Sequence, residues 1–148
     1  MGLLDVFDIA GSAMSAQSIR LNTVSSNLAN AESVSSSVDQ TYRARHPVFA
    51  VLKNHYQNNG FGMDNFGRGL SSGQGVEVRG IVESDAELPR RYQPSHPMAD
   101  EEGFVTYPNV NVVEEMANMI SASRSFQTNV EVMDNAKKMM QQLLTLGQ

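Results

Sequence analysis

Four groups of residues in this chain could do chemistry. Gly69-Leu70-Ser71-Ser72-Gly73 matches GxSxG, the pattern that holds a nucleophilic serine on a strained turn between a strand and a helix. Here a glycine-rich stretch precedes the motif and a strand candidate follows it, so Ser71 reads as a loop residue. His46, His55 and His96 share no close helical spacing with one another or with a carboxylate motif, as a helical metal site requires. His46 and His96 each precede a proline and read as turn or surface residues. Asp100-Glu101-Glu102 lacks the alternating ligands of a calcium loop and reads as a solvated turn. Met116, Met119, Met133, Met139 and Met140 suit adaptable packing better than a cofactor box. No phosphate-cradling glycine loop ends in Lys-Ser or Lys-Thr. The reading is no catalytic residue, no cofactor and no metal, hence no enzyme.

Charge and composition narrow the partners. The formal net charge is -5 and the pI about 5.1. Arg90-Arg91 and Lys137-Lys138 are the only adjacent basic pairs, too little to displace counterions from phosphate, so nucleic acid is excluded. There is no cysteine for a disulfide or thiolate site. No apolar run reaches the roughly 18 residues of a membrane span, so direct membrane insertion is not expected. The first charges are Asp5 and Asp8, and the first basic residue is Arg20, so the basic start of a secretory signal is missing. Val6 stands where a myristoylation motif needs Ser or Thr. The expectation is a chain that stays in the cytoplasm or leaves by a route that reads no such signal.

The elements follow from the breakers. All five prolines and eight of the eleven glycines lie between residues 47 and 108, which leaves two flanks open to long helices. The first flank predicts a helix over about 4–29, with Leu3, Phe7, Ala10, Met14, Leu21, Val24, Leu28 and Ala31 alternating at steps of four and three around Gln17. The second predicts one over about 112–146. Its seam is Val112, Met116, Met119, Phe126, Val130, Met133, Met140 and Leu144, interrupted by Ser123 and Lys137. Pro108 ends the preceding segment, Asn111 can cap, Glu114 and Glu115 place negative charge in the first turn, and Gly147 suits a stop. Between them, Val76, Val78 and Ile81 predict a half-buried strand with a bend at Gly80. Residues 42–52 and 103–107 are weaker strand candidates, 57–75 a long mobile loop, and 33–37 a serine-rich linker. The expected class is α+β: long N- and C-terminal helices paired as an antiparallel coiled-coil-like hairpin, with a central β-rich segment. In domain terms, 1–31 and 109–148 form one helical domain, and 32–108 hold the linker, loop and strands.

Both helices have apolar stripes wider than one partner needs. On a wheel of about 100° per residue, Val132, Met139 and Leu146 form a column beside Ala136 and Leu143, and with Met133, Met140, Val130 and Leu144 the arc spans about 160°. Val6, Ile9, Ala13 and Ala16 widen the start of the first helix in the same way. An antiparallel pair brings these wide parts together at one tip, away from the β segment. Arg124, Glu131 and Lys138 recur at sevens on a solvated face. Two readings of the tip stand at this point: a surface for assembly, or a core closed by the central segment folding back.

Specific motifs add to the periodicity. Ser26-Asn27-Leu28-Ala29-Asn30-Ala31 resembles the N-terminal signature of flagellar axial proteins of the rod and hook. Glu115-Met116-Ala117-Asn118-Met119-Ile120 with Ser123-Arg124-Ser125-Phe126-Gln127-Thr128-Asn129 resembles their C-terminal signature. Tyr42-Arg43-Ala44-Arg45, Val48-Phe49, Tyr92-Gln93-Pro94-Ser95-His96-Pro97 and Tyr107-Pro108-Asn109-Val110-Asn111 resemble the basal-body rod proteins within that group. The resemblance implies a structural subunit of the proximal rod, polymerising through its terminal helices into the torque-transmitting shaft around the export channel. It implies export from the cytoplasm without a cleaved signal peptide, and residence in the periplasmic part of the basal body. The implied partners are copies of the chain, other rod proteins, the inner-membrane ring and export-gate junction, and the distal rod. Together with the wide arcs it marks a subunit interface at Phe7, Ile9, Met14, Leu21, Val24, Asn27, Leu28, Asn30, Met116, Met119, Phe126, Val130, Val132, Met133, Met139, Met140, Leu143, Leu144 and Leu146. Asn27 and Asn30 are expected to fix where the first helix turns toward the strands. The rival readings are a small helical export chaperone or adaptor, which would not need the Gly/Pro-rich insert, and a small hydrolase using Ser71.

Overall fold

Two long helices form because two long stretches have no proline and only one interior glycine, Gly11. In a computed structural model that describes residues 3–52 and 75–146, α1 spans Leu3–Ala29 and α2 spans Val112–Leu146. At 1.5 Å per residue they are about 40 and 52 Å long. Asn111 caps α2: its side-chain oxygen accepts the Val113 amide at 3.1 Å and the Glu114 amide at 3.5 Å. α1 ends where Asn30 turns back, its backbone N–H donating to Ser26 and its side-chain amide donating to the same carbonyl at 2.8 Å.

The helices run antiparallel. The space beside Gly11 is filled by Met133, Arg20 donates to Asn118 at 2.9 Å, and Asn27 donates to Glu115 at 3.0 Å. The line that α2 turns toward α1 differs from the expected seam in one column. Met119, Phe126, Met133 and Met140 are half-buried as expected, but their companions are Glu115, Ala122, Asn129 and Ala136. Met116, Val130 and Leu144, expected in the seam, are exposed, as is Val112. Ala122 and Ala136 let the helix axes approach closely, and one residue of shift along a helix turns a side chain by about 100°. Apolar bulk drew the pattern to Met116 and Val130, one residue past Glu115 and Asn129, and left Ala122 and Ala136 unread.

The opposite side of α1 carries the main hairpin. Strands β1 (Arg45–Val51) and β2 (Val76–Glu83) pair antiparallel, with Arg79 as the extra residue of a bulge between Val48↔Gly80 and Phe49↔Val78. The expected bend at Gly80 is this bulge. The hairpin lies along α1 over Ser12, Ala16, Ile19, Thr23 and Ser26. Ser12 Oγ accepts the Val76 amide at 3.2 Å, while Ile19, Asn22, Thr23 and Ser26 share a groove with Arg45 and Ile81. The β segment therefore reaches down toward the tip instead of standing away from it, and it covers the widened stripe of α1 around Ala16.

A second, smaller sheet pairs β3 (Arg90–Tyr92) with β4 (Phe104–Thr106). Ser35 extends it: its N–H and C=O both bond Thr106 at 3.1 Å, and Ser35 is buried. The serine run at 33–37 is thus partly a structural edge, not a free linker, and a single turn of 3₁₀ helix follows at Val38–Gln40. Of the loop expected at 57–75, all but Gly75 lies outside the described residues, as do Ser71 and His55.

Candidate functional site

Among the described residues no helix is long and apolar enough to cross a membrane, and no three His, Cys, Asp or Glu side chains gather as a metal site would require. His96 Nδ1 accepts the Met98 amide at 3.1 Å, which makes it a turn residue, and His46 is exposed on β1. What the architecture leaves open is surface.

α1 is covered on two sides, by α2 and by the hairpin. Phe7, Ile9, Met14, Leu21 and Leu28 are half-buried and Val24 is buried, all within the chain. Among the described residues, α1 is the only element that packs along α2. The rest of α2 carries large apolar side chains with no cover: Val113 is 77% exposed, Met116 51%, Ile120 55%, Met139 56% and Leu144 68%, with Val130, Val132 and Leu143 also exposed. The side chain of Leu146 lies outside the described residues. Relative to the buried line, helical geometry of about 100° per residue puts Met116 and Ile120 on one flank, near the start of α2, and Val132 and Met139 on the other, near its end. Arg124, Glu131 and Lys138 form an exposed ridge between the flanks. The hairpin adds exposed apolar side chains on both of its faces, Val48 and Val82 on one and Phe49 and Val51 on the other.

The end of the helix pair opposite the tip is polar and closed. Asn27 has 0% exposure, and its amide meets three residues, in β1, in the segment before it and in α2. Its Oδ1 accepts the Arg45 amide at 2.9 Å and the Tyr42 hydroxyl at 2.9 Å, and its Nδ2 donates to the Arg45 carbonyl at 2.8 Å and to Glu115 Oε2 at 3.0 Å. Asn27 is therefore occupied inside the chain, and Asn30 likewise bonds Ser26 and receives Ser33. Arg45 continues outward, lying over the Tyr42 ring and pairing with Glu83 at 2.9 Å. Asn109 ties the next turn. Its Oδ1 accepts the Ala44 amide at 2.8 Å, and its Nδ2 donates to the Ala86 carbonyl at 3.0 Å. Glu115 and Asn109 carry no periodic signal, so sequence spacing alone did not single them out. Their place in motifs matching the resemblance was the available sign.

The small sheet closes on Asp100. Its carboxylate accepts the Phe104 amide at 2.8 Å and the Glu102 amide at 3.0 Å, and receives Arg90 at 2.7 Å. The Phe104 amide above all, with Arg90 and the Glu102 amide, holds the Asp100 carboxyl below its ordinary value. Gly103, at φ +82, completes the turn, where a β-carbon would come within 2.9 Å of Tyr92.

Comparison with known proteins gives the context. The family described as "Flagella basal body rod protein" matches residues 7–34, and "Flagellar basal body rod FlgEFG protein C-terminal" matches residues 101–146. These are α1 with its exit and β4 with α2. The chain is 49% identical over 148 residues to "Flagellar basal-body rod protein FlgC" of Escherichia coli O6:H1, covering all of both chains. It is 48% identical to the protein of that name from Salmonella typhimurium, again over all of both. The protein so named from Borreliella burgdorferi is 35% identical over 153 residues, with all of this chain and 99% of the relative covered.

Proposed function

The chain belongs to the FlgC family of flagellar basal-body rod proteins, and on that premise we propose that it assembles through the uncovered flanks of α2. It is a structural subunit of the flagellar basal-body rod. Residues 1–31 and 109–148 act as one helical domain, whose four-three alternation supports coiled-coil-like pairing, and 32–108 form the outer β segment. The subunit belongs to the proximal rod, turns over no substrate, and carries torque around the export channel. Its neighbours are copies of itself, other rod proteins, the distal rod and the inner-membrane ring with its export-gate junction. It reaches the periplasmic space without a cleaved signal peptide.

The observation that supports this reading is the asymmetry between the helices. Among the described residues, the large apolar side chains of α1 are buried or half-buried, whereas α2 leaves Met116, Ile120, Val132 and Met139 open on two flanks. Patches of this kind mark interaction surfaces. Because the flanks differ in position along the helix, a contact of one with the other is heterologous, and such contacts build rings or, where the rotation does not close, open helical assemblies. The interface residues of the reading are those on the open flanks, with Val130, Leu143 and Leu144 beside them. The half-buried seam residues Phe7, Met14, Met119, Phe126, Met133 and Met140 support them from within.

The native chain has no cysteine, so a crosslink can be placed at will. With Ile120→Cys and Val132→Cys subunits expressed together, basal bodies are isolated and oxidised. Crosslinked dimers that need both substitutions are expected. Motile cells whose rods yield no crosslink at these or adjacent flank positions would reject the arrangement.

A further inference from the structure

We infer that Asn27 is a positioning residue that makes docking of the hairpin and pairing of α2 conditional on one another, and so sets the angle between the β segment and the helix pair. An asparagine amide has two acceptor lone pairs and two N–H donors, and here all four are used. Two go to Arg45, whose backbone N–H and C=O it meets as a neighbouring strand would. One goes to Tyr42, in the segment leading into β1, and one crosses to Glu115 on α2. Neither Asn27 nor Glu115 is accessible to water that could replace a lost partner, with exposures of 0% and 4%. If the hairpin lifts, Asn27 loses three hydrogen bonds. If α2 slides by a turn, a donor and a buried carboxylate lose each other. Each displacement leaves unpaired polar groups in a closed site, and this penalises an intermediate in which only one element is seated.

The consequence for an assembling subunit rests on the reading above. A polymer repeats the same contacts at every copy, so the angle between helices and β segment must be single-valued. Bulk apolar packing of Val24 and Ala122 tolerates small rotations, whereas four directional bonds on one amide do not.

The test exchanges the polarity of one bond. Asn27→Asp keeps size and shape but turns the donor toward Glu115 and Arg45 into a carboxylate. Glu115→Gln alone still offers an acceptor. Together they restore a donor-acceptor pair with residue 115 in reverse, while the Arg45 carbonyl still faces a carboxylate oxygen. Hydrogen exchange on the isolated chain is read at β1 and at the first turns of α2. In N27D, protection of both is expected to fall together, by about 10- to 100-fold, the scale of buried polar groups left unpaired. E115Q is expected to change either by less than threefold, and the double variant to recover part of what N27D loses, at least threefold, because only the bond to residue 115 is restored. Unchanged protection in N27D, separate falls in the two segments, or no recovery in the double variant overturns the inference. If N27D cannot be purified folded, folding of the double variant decides: a folded one supports the coupling and an unfolded one rejects it. These readings use the monomer, so they stand apart from the fate of the crosslinking experiment.

Discussion

Gly75 approaches Ser12 so closely that a β-carbon on it would lie 2.5 Å from Ser12 Oγ. The same hydroxyl accepts the Val76 amide and donates to the Ile9 carbonyl, so it cannot simply rotate away without losing bonds. Gly75 also has φ +152, where side chains are rare. Gly75→Ala should therefore lift the lower end of the hairpin from α1 and destabilise the chain by about 1–3 kcal/mol. Gly80, in the same hairpin, has open space around it and serves as the control. Gly80→Ala should fall within about 0.5 kcal/mol. Urea midpoints of the two variants check the contrast, and equal midpoints would contradict the close packing at Ser12.

Acid should loosen the small sheet before the helices. The Asp100 carboxyl titrates below its ordinary value because the folded turn donates two amides and Arg90 to its ionised form. A lowered folded value means that the stabilisation is complete above the unfolded value, about 3.9, and fades as pH falls through the folded one. Amide signals of β3 and β4 should shift or broaden below about pH 4. In Asp100→Asn that part of the pH response should vanish. A profile unchanged by the substitution would assign the acid response elsewhere.

The two asparagines of the first signature should differ in weight. Asn27→Ala strips its partner from the Arg45 backbone amide and carbonyl and from the buried Glu115 carboxylate, and leaves the Tyr42 hydroxyl with Ser26 alone, a loss of about 2–4 kcal/mol. Asn30→Ala removes a bond from its amide to the Ser26 carbonyl at the helix end, about 1 kcal/mol or less. With both changed, the subunit should still be exported while rods fail to form. Swimming indistinguishable from wild type would show that neither amide matters to assembly.

The helices were readable because their signals are local. Proline is absent from both flanks and glycine nearly so, and Asn111 stands at the start of α2, where it does cap. The seam was readable only in its large column, Met119, Phe126, Met133 and Met140. The facing column, Glu115, Ala122, Asn129 and Ala136, offers no bulk, so the pattern passed to Met116 and Val130, which point outward. Burial of Asn27 and Glu115 depends on each finding the other across 88 positions of chain, which no window along the sequence contains. β3 was missed for a related reason. Arg90 and Arg91 stand out in the sequence only as an adjacent basic pair, yet they lie over the rings of Phe104 and Tyr107, and Tyr92 packs edge-on against Phe104.

Met139 decides whether the outer flank of α2 faces a neighbour. In the isolated chain it is 56% exposed, and Val132, seven residues earlier on the same flank, is 40% exposed. A charged residue there changes the monomer little, so Met139→Glu should shift its stability by no more than about 0.5 kcal/mol. In a packed contact the same carboxylate would be desolvated without a partner, at several kcal/mol for each copy. Lys138→Glu, on the exposed ridge one residue away, controls for charge alone, since it alters the same region without entering the flank. Ala136→Glu controls for the opposite failure, because Ala136 is 5% exposed against α1 and its loss should unfold the helix pair itself. The expected pattern is that Met139→Glu is secreted and folded but does not support swimming, whereas Lys138→Glu supports both. Normal swimming of the Met139→Glu strain would mean that this flank faces solvent in the finished rod.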